Sequence, residues 1–439
     1  MDINILDLHF DILILICEQI EKFDDKKNFA RTHPKLWNVF AYQHRNDVRS
    51  VINFDNNAKY MINHWDFILE WWGSSVTSIY NRYNYVNSGD LMDYAVKFCP
   101  NLEFINFVID NCNIKKVLEN LPKLKQLKDI HLNIKIEFNG IWKLYYKKEN
   151  YIADLIESMQ SLTNLRHLNF GTHSLKRKER KQLNKLIQLE ELKIGPIQDS
   201  DVDDLSTLLG HLRILIIGYY PDTKTISRLA KYCINLESLN LEDDSFRSFS
   251  PKFSSKWRVS YFPKLTCLSC DGNGQNDFLY NLDSRYNNQL KVLNMPCLTM
   301  REEEIARIAN LRALKELFCA DVKPSSIDVL VGMQLEHLDC STSFSLNQMH
   351  ILRLVRECSM LKDLGCAIYN IDNEFLSELL DILKAKDFQP NRPFNFKYAT
   401  YFETEINKDQ FASMPNSNLM NLYHRRTLSS SNINNKVDR

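Results

Sequence analysis

The apolar positions of this chain repeat. "LEFINF" at Leu102, "LKDIHL" at Leu127, "LRHLNF" at Leu165, "LEELKI" at Leu189 and "LRILII" at Leu212 share the spacing L-x-x-Φ-x-Φ, where Φ is apolar. "LESLNL" at Leu236, "LTCLSC" at Leu265, "LKVLNM" at Leu290, "LKELFC" at Leu314, "LEHLDC" at Leu335 and "LKDLGC" at Leu361 bring the copies to eleven, and "VTSIYN" at Val76 makes a twelfth. Most steps are 21–26 residues, with two longer ones of 38 and 29. Alternation across the last positions predicts a short strand with its Φ side chains on one face. The stretches that follow, such as "DVDDLSTLLGHL" and "EEEIARIANL", carry a helical period. One such unit cannot bury its own apolar face, whereas stacked units can. The repeat therefore predicts a solenoid with parallel strands inside and helices outside. Cys270, Cys319, Cys340 and Cys366 hold the last Φ position, where they act as small hydrophobes.

The first residues follow another pattern. In "DLHFDILILICEQI", at about 100° per residue, Leu8, Ile12, Leu13, Leu15, Ile16 and Ile20 fall on one arc. Asp7, Asp11, Glu18 and Glu21 lie opposite, and Ile14 and Gln19 sit off the pattern, so the stretch predicts a helix. Asp24 and Asp25 mark a polar break before a second helix through "KKNFARTHPKLW". No Lys or Arg precedes Lys22 and no small-residue cleavage site follows, which argues against a secretory signal. The apolar run Ile12–Ile16 is far short of the ~18 residues that suggest a membrane span.

The period, near 24 residues, resembles that of the leucine-rich repeat. The resemblance implies an α/β fold with a curved solenoid of 11–12 repeats over residues 76–384. One departure is that the Asn or Cys usual three residues after the last Φ is replaced by mixed types, including Asp110, Lys135, His173, Ile197 and Tyr220. Residues 6–40 resemble the F-box, a helical motif that binds a Skp-type adaptor. Leu8 stands where that family opens with Leu-Pro, Ile12, Leu13, Ile16 and Ile20 follow its apolar spacing, and Trp37 matches its late Trp. His9 takes the place of the usual Pro. By this resemblance, Leu8, Ile12, Leu13, Ile16, Ile20 and Trp37 would bind the adaptor, and cullin and RING subunits would join through it. The chain would be the substrate receptor of an SCF-type ubiquitin ligase. The other reading is a leucine-rich-repeat scaffold with no ubiquitin role, its residues 1–40 serving only to cap the first repeat. Residues 41–75 are expected to form a helical connector, 385–411 a C-terminal cap around "FNFKYATYFE", and 412–439 a disordered, Ser/Asn-rich tail.

Composition narrows this further. Lys plus Arg equals Asp plus Glu at 55 each in 439 residues, so no global field points to nucleic acid or an anionic membrane. Eleven cysteines, scattered and odd in number, fit reduced thiols and an expected place in the cytoplasm, the nucleus or both. The CxxC Cys267–Cys270 has no second pair at zinc-site spacing, and "DGNGQND" at Asp271 lacks the Gly and Glu of a calcium loop. No nucleotide-binding or hydrolase motif occurs, so no catalytic residue, metal or cofactor is assigned and the chain is not expected to be an enzyme. The run "KRKERK" (Lys176–Lys181) reads as the solvated face of an outer helix.

A protein substrate would then meet the residues between the Φ positions, which point into the concave surface: Asn106, His131, Asn169, Lys193, Ile216, Asn240, Ser269, Asn294, Phe318 and Asp339, flanked by His167, Glu242, Asp271, His337 and Asp363. The two long repeats add aromatics after their strands, with Trp142, Tyr145 and Tyr146 in one and Phe249, Phe253 and Trp257 in the other. Four strand steps, on the order of 19 Å at ~4.8 Å each, are expected to separate them. The candidate substrate-binding set is Trp142, Tyr145, Trp257, Asn169, Asn240, Glu242, Asp271, His337 and Asp339.

Overall fold

A computed structural model describes residues 4–43, 50–54, 69–70, 72–84, 86–135, 151–219, 221–242, 260–270, 282, 284–300, 302–340, 344–400 and 406–424. The chain divides into two compact units, Met1–Leu189 and Glu190–Arg439.

The first unit opens with three helices, α1 (Phe10–Gln19), α2 (Phe23–Arg31) and α3 (Pro34–Gln43). His9 caps α1, its Nδ1 accepting from the Asp11 N–H, so the residue standing in place of the family's Pro supplies the helix entry by a side-chain cap instead. His33 does the same for α3, accepting from Lys35 N–H at 3.1 Å just ahead of Pro34. Pro34 also explains why the second predicted helix is in fact two. The break falls at Ile20–Lys22, ahead of Asp24 and Asp25, which lie within α2. Leu13, Cys17, Ala30, Leu36, Trp37, Val39 and Phe40 form a core of their own. Lys35 Nζ ties the chain before α1 to α3, donating to the carbonyls of Leu6 (2.7 Å) and Leu8 (2.9 Å).

Five strands follow in this unit: β1 (Val51–Asn53), β2 (Ser78–Asn81), β3 (Phe104–Ile109), β4 (Asp129–Ile134) and β5 (His167–Asn169). Each pairs in parallel with the next. Helices such as Ser88–Phe98, Ile114–Asn120 and Tyr151–Met159 connect them. The second unit repeats the scheme with β6 (Glu191–Ile194), β7 (Ile214–Gly218), β8 (Ser238–Glu242), β9 (Cys267–Cys270), β10 (Val292–Met300), β11 (Glu316–Val322), β12 (His337–Cys340), β13 (Asp363–Ile368), β14 (Phe394–Thr400) and β15 (Met420–His424). These too pair in parallel, in chain order. This is leucine-rich-repeat architecture.

Every repeat predicted from Val76 to Leu361 carries a strand, and the three Φ positions are buried throughout, as at Leu236, Leu239 and Leu241. Among the described residues no regular polar ladder replaces the missing Asn or Cys. Buried Asn81 and Asn113 close individual turns instead, bonding Val86 O at 2.6 Å and Val108 O at 3.0 Å. In the second unit the last Φ position of β9–β13 is a run of sulfur side chains, Cys270, Met295, Cys319, Cys340 and Cys366, all buried. Burial pushes the thiols of Cys319, Cys340 and Cys366 up, well out of thiolate range.

Three domain assignments change. The stretch 41–75 holds β1, so it is not purely a helical connector. Residues 394–400 are no cap but a full repeat strand, register-paired from Asp363↔Asn395 to Ile368↔Thr400. The tail is not featureless from 412: a turn at Ser417–Leu419 leads into β15, which pairs with β14 from Phe394↔Met420 to Tyr398↔His424. Parallel backbone pairing satisfies the groups of a polar segment that composition alone reads as disordered.

Candidate functional site

The adaptor-binding candidates separate on burial. Leu13 is fully buried and Trp37 is 8% exposed, both in the core of the helical unit, so neither offers a surface to a partner. The Trp37 ring packs at a tilt against Phe40, centroids 5.4 Å apart, and against Trp72 at 5.7 Å. Leu8, Ile16 and Ile20 are half-buried, and Ile12 is open at 45%. Leu15, at 55%, is the most exposed apolar residue of α1, and Ile5, in the 3-10 turn Ile5–Asp7 ahead of the helix, is also exposed. Ile14, off the predicted arc, packs against the core. The stripe is therefore rotated: α1 covers the core through Leu13 and Cys17, one turn apart, and turns Ile12 and Leu15 outward.

On the strands, Φ residues face the helices and the residues between them face the other way. In the first unit this open face carries an aromatic run across three strands. Tyr80 on β2 lies 4.6 Å from Phe104 on β3, which meets His131 on β4 edge-on at 5.0 Å. Asp129 sits among them. Its Oδ1 is 3.2 Å from His131 Nε2 and its Oδ2 is 3.6 Å from His167 Nδ1 on β5. Burial alone would raise its carboxyl, but the two imidazoles outweigh that and hold it below the usual range. Oδ1 is closed off from solvent and completes no hydrogen bond of good geometry. Asn169 serves its own turn, its Oδ1 accepting from Gly171 N–H at 2.7 Å where the backbone takes a positive φ of 58°.

In the second unit Lys193 of β6 reaches across β7 to Glu242 of β8, Nζ to Oε2 at 2.5 Å. Asn240 donates to the same carboxylate at 3.4 Å, while its own Oδ1 is buried without a partner. Farther along, His337 pairs with Asp363 at 2.5 Å on the adjacent strand. Asp339 leans over Gly365, so closely that a Cβ there would sit 2.6 Å from its carboxyl carbon. Asp321 is held by Lys323 and Ser345, each at 2.9 Å.

Of the candidate substrate-binding residues, Asn169 thus belongs to the first unit and Asn240, Glu242, His337 and Asp339 to the second. Trp142, Tyr145, Trp257 and Asp271 lie outside the described residues. Asp129, Phe104 and Tyr80 were absent from that set, although Asp129 occupies the same place in "LKDIHL" as the flanking Asp363 in "LKDLGC". Among the described residues no group of His, Cys, Asp and Glu is arranged to hold a metal ion, the Asp129 cluster included.

No family model matches the chain, and no curated protein matches it. Among solved structures, one similar chain comes from the crystal structure of the Rad7 and Elc1 complex in yeast, at 16% identity and a TM-score of 0.46, covering 82% of this chain and 92% of that one. Another comes from the TLR13–ssRNA13 complex, at 20% identity and a TM-score of 0.34, covering 62% of this chain and 44% of that one.

Proposed function

We propose that this protein is the substrate-recognition subunit of an SCF-type ubiquitin ligase. The α1–α3 unit docks a Skp-type adaptor, and through it the cullin and RING subunits, while the open strand faces hold a protein substrate. The chain supplies proximity and orientation, not chemistry of its own. The observation that carries this reading is the helical unit. It closes a core of its own and still leaves Ile12 and Leu15 one turn apart on the outside of α1, in the stretch that resembles an F-box. Exposed apolar pairs on a helix that already has a core are surfaces for a partner helix or groove. The open strand faces, rich in paired polar groups and aromatics, have the mixed composition of transient protein interfaces. We place the protein in the cytoplasm, the nucleus or both.

The test is recovery of a purified Skp-type adaptor by the full chain, by the chain lacking residues 1–50, and by Ile12→Asp/Leu15→Asp. Both changes should abolish recovery while circular dichroism shows the repeats intact. Undiminished recovery by either would sink the ligase reading. The second reading, a repeat scaffold whose N-terminal helices only cap the array, is favoured by one observation: Trp72, just ahead of the 3-10 turn Gly73–Ser75 that leads to β2, packs on Trp37 and Phe40. A chain that folds and recovers no adaptor would support it.

A further inference from the structure

The departure of residue 9 from the F-box resemblance has its counterpart on α3. We infer that Lys35 is a positioning residue of the adaptor site. Its ammonium group clamps residues 5–9 in the conformation a proline would impose, and so presents Ile5, together with Ile12 and Leu15 of α1, to the adaptor. This rests on the reading that α1–α3 docks a Skp-type adaptor.

The backbone at position 9 is shaped for proline. His9 has φ −62° and ψ 150°, and Leu8 ahead of it is extended at φ −66° and ψ 149°. Proline and the residue before it prefer such values. Among the described residues the His9 N–H makes no backbone hydrogen bond that a proline ring would remove. Histidine does not impose this conformation covalently. Its cap on the Asp11 N–H is long, 3.5 Å, and exposed, so it holds the helix entry only loosely.

Lys35 supplies the constraint from across the unit. Its Nζ donates to Leu6 O at 2.7 Å and to Leu8 O at 2.9 Å. Among the described residues no backbone N–H reaches either carbonyl. The Asp7 and Leu8 N–H groups go to Asn4 O and Ile5 O, and those of Ile12 and Leu13 go to His9 O. One charged group thus holds the segment on both sides of Asp7, and charge-assisted bonds are the stronger kind. It comes from a face that α3 already turns to α1. Lys35, Val39 and Tyr42 follow at i, i+4 and i+7, Val39 in the core and Tyr42 edge-on to Phe10 at 5.7 Å. The clamped segment has two sides: Leu6 and Leu8 pack on the core, whereas Ile5 and Asp7 are exposed. An apolar side chain held outward on a fixed backbone is a preorganised contact, because its ordering is complete before the partner arrives. The contact therefore begins at Ile5, since Leu8 is turned to the core.

Isothermal titration of a purified Skp-type adaptor into the full-length chain reads the clamp, with circular dichroism to confirm that each variant is folded. Lys35→Met, which keeps the stem and removes the donors, should weaken binding about tenfold. Lys35→Arg, which keeps donors there, should stay within about threefold of the unaltered chain. His9→Pro alone should change little, because the segment is already held. Added to Lys35→Met, it should restore binding to within about threefold, the ring doing covalently what the ammonium does by hydrogen bonding. Should Lys35→Met fail to fold, Ile5→Asp, which leaves both Lys35 bonds in place, must weaken binding about tenfold in its stead. Unchanged binding by Lys35→Met or by Ile5→Asp overturns the inference, as does a double variant that binds no better than Lys35→Met. The unaltered chain separates the two levels. If it binds the adaptor and these variants bind equally well, the clamp fails and the ligase reading stands. If it binds no adaptor, the ligase reading fails and the positioning role fails with it.

Discussion

Two glycines, one in each unit, should respond very differently to the same added methyl group. A Cβ at Gly73 would lie 2.4 Å from the Phe98 carbonyl oxygen and 2.8 Å from its carbon. Phe98 ends the helix Ser88–Phe98, so the obstacle is main chain and not the end of a side chain, and the turn Gly73–Ser75, whose Gly73 is buried, would have to retreat by roughly 1 Å. Overpacking of that kind costs about 1–3 kcal/mol. A Cβ at Gly365 would lie 2.6–2.9 Å from the Asp339 carboxylate, the far end of a side chain on the neighbouring strand. That carboxylate can swing away for about 0.5–1.5 kcal/mol, and replacing glycine inside a strand returns about 0.5–1 kcal/mol of backbone entropy. The net for Gly365→Ala is within about 1 kcal/mol of zero. For units of this size, 1 kcal/mol moves a melting midpoint by about 2–4 °C. Gly73→Ala should therefore lower the transition of its unit by roughly 2–12 °C, and Gly365→Ala should move its own by less than roughly 4 °C. Thermal scans by circular dichroism measure both. Equal losses would refute the distinction between rigid backbone and yielding side chain on which the numbers rest.

Strand register is checked at β8, where Leu239→Ala should cost about 2–5 kcal/mol in urea melts and Asn240→Ala under about 0.5 kcal/mol, because Leu239 is fully buried and Asn240 is on the open face; equal costs would put the wrong face inward. Acid should act through Glu336, whose carboxyl is pulled from 4.5 to about 2 by hydrogen bonds from Lys315 and Lys362. A depressed carboxyl contributes stability that is full above its unfolded value and lost as pH falls through the folded one. Glu336→Gln should therefore flatten the dependence of the second unit's stability on pH between about 4.5 and 2, and an unchanged slope would remove the pair from the account.

The repeats were legible because each copy names its own strand: a leading Leu, then two inward Φ residues. The strands that escaped notice lack one part of that signature. In β1 the leading position, three before Ile52, is Arg49, and in β14, three before Phe396, it is Pro393. In β15 the copy runs Leu419-x-x-Leu422-x-His424, with His in place of the last apolar residue and Ser- and Asn-rich sequence around it. The helix α1 shows a different limit. With Phe10 and the whole run Ile12–Ile16 apolar, the sequence carries two candidate stripes, and only the packing of α3 decides that Leu13 and Cys17 face the core. Trp37 was singled out by its place in a motif, which says nothing of whether the ring points in or out. Asp129 was overlooked because its role comes from residues on two other strands, brought near by parallel register.

The sulfur column of β9–β13 makes some damage to this protein irreversible. While the repeats are closed, Cys319, Cys340 and Cys366 hold their protons and are poor targets for peroxide, since the thiolate is the reactive form. They occupy three consecutive strands, so a local opening that frees one tends to free its neighbours. Oxidation that runs on to the sulfinic acid in that interval leaves a larger, polar group that thiols do not reduce, and it no longer fits the dry space between strand and helix. A fluctuation that would close within a fraction of a second is then fixed in the open form. For this stretch of the molecule, shelf life in air is governed by how often it breathes, and a reductant preserves it by keeping each opening harmless.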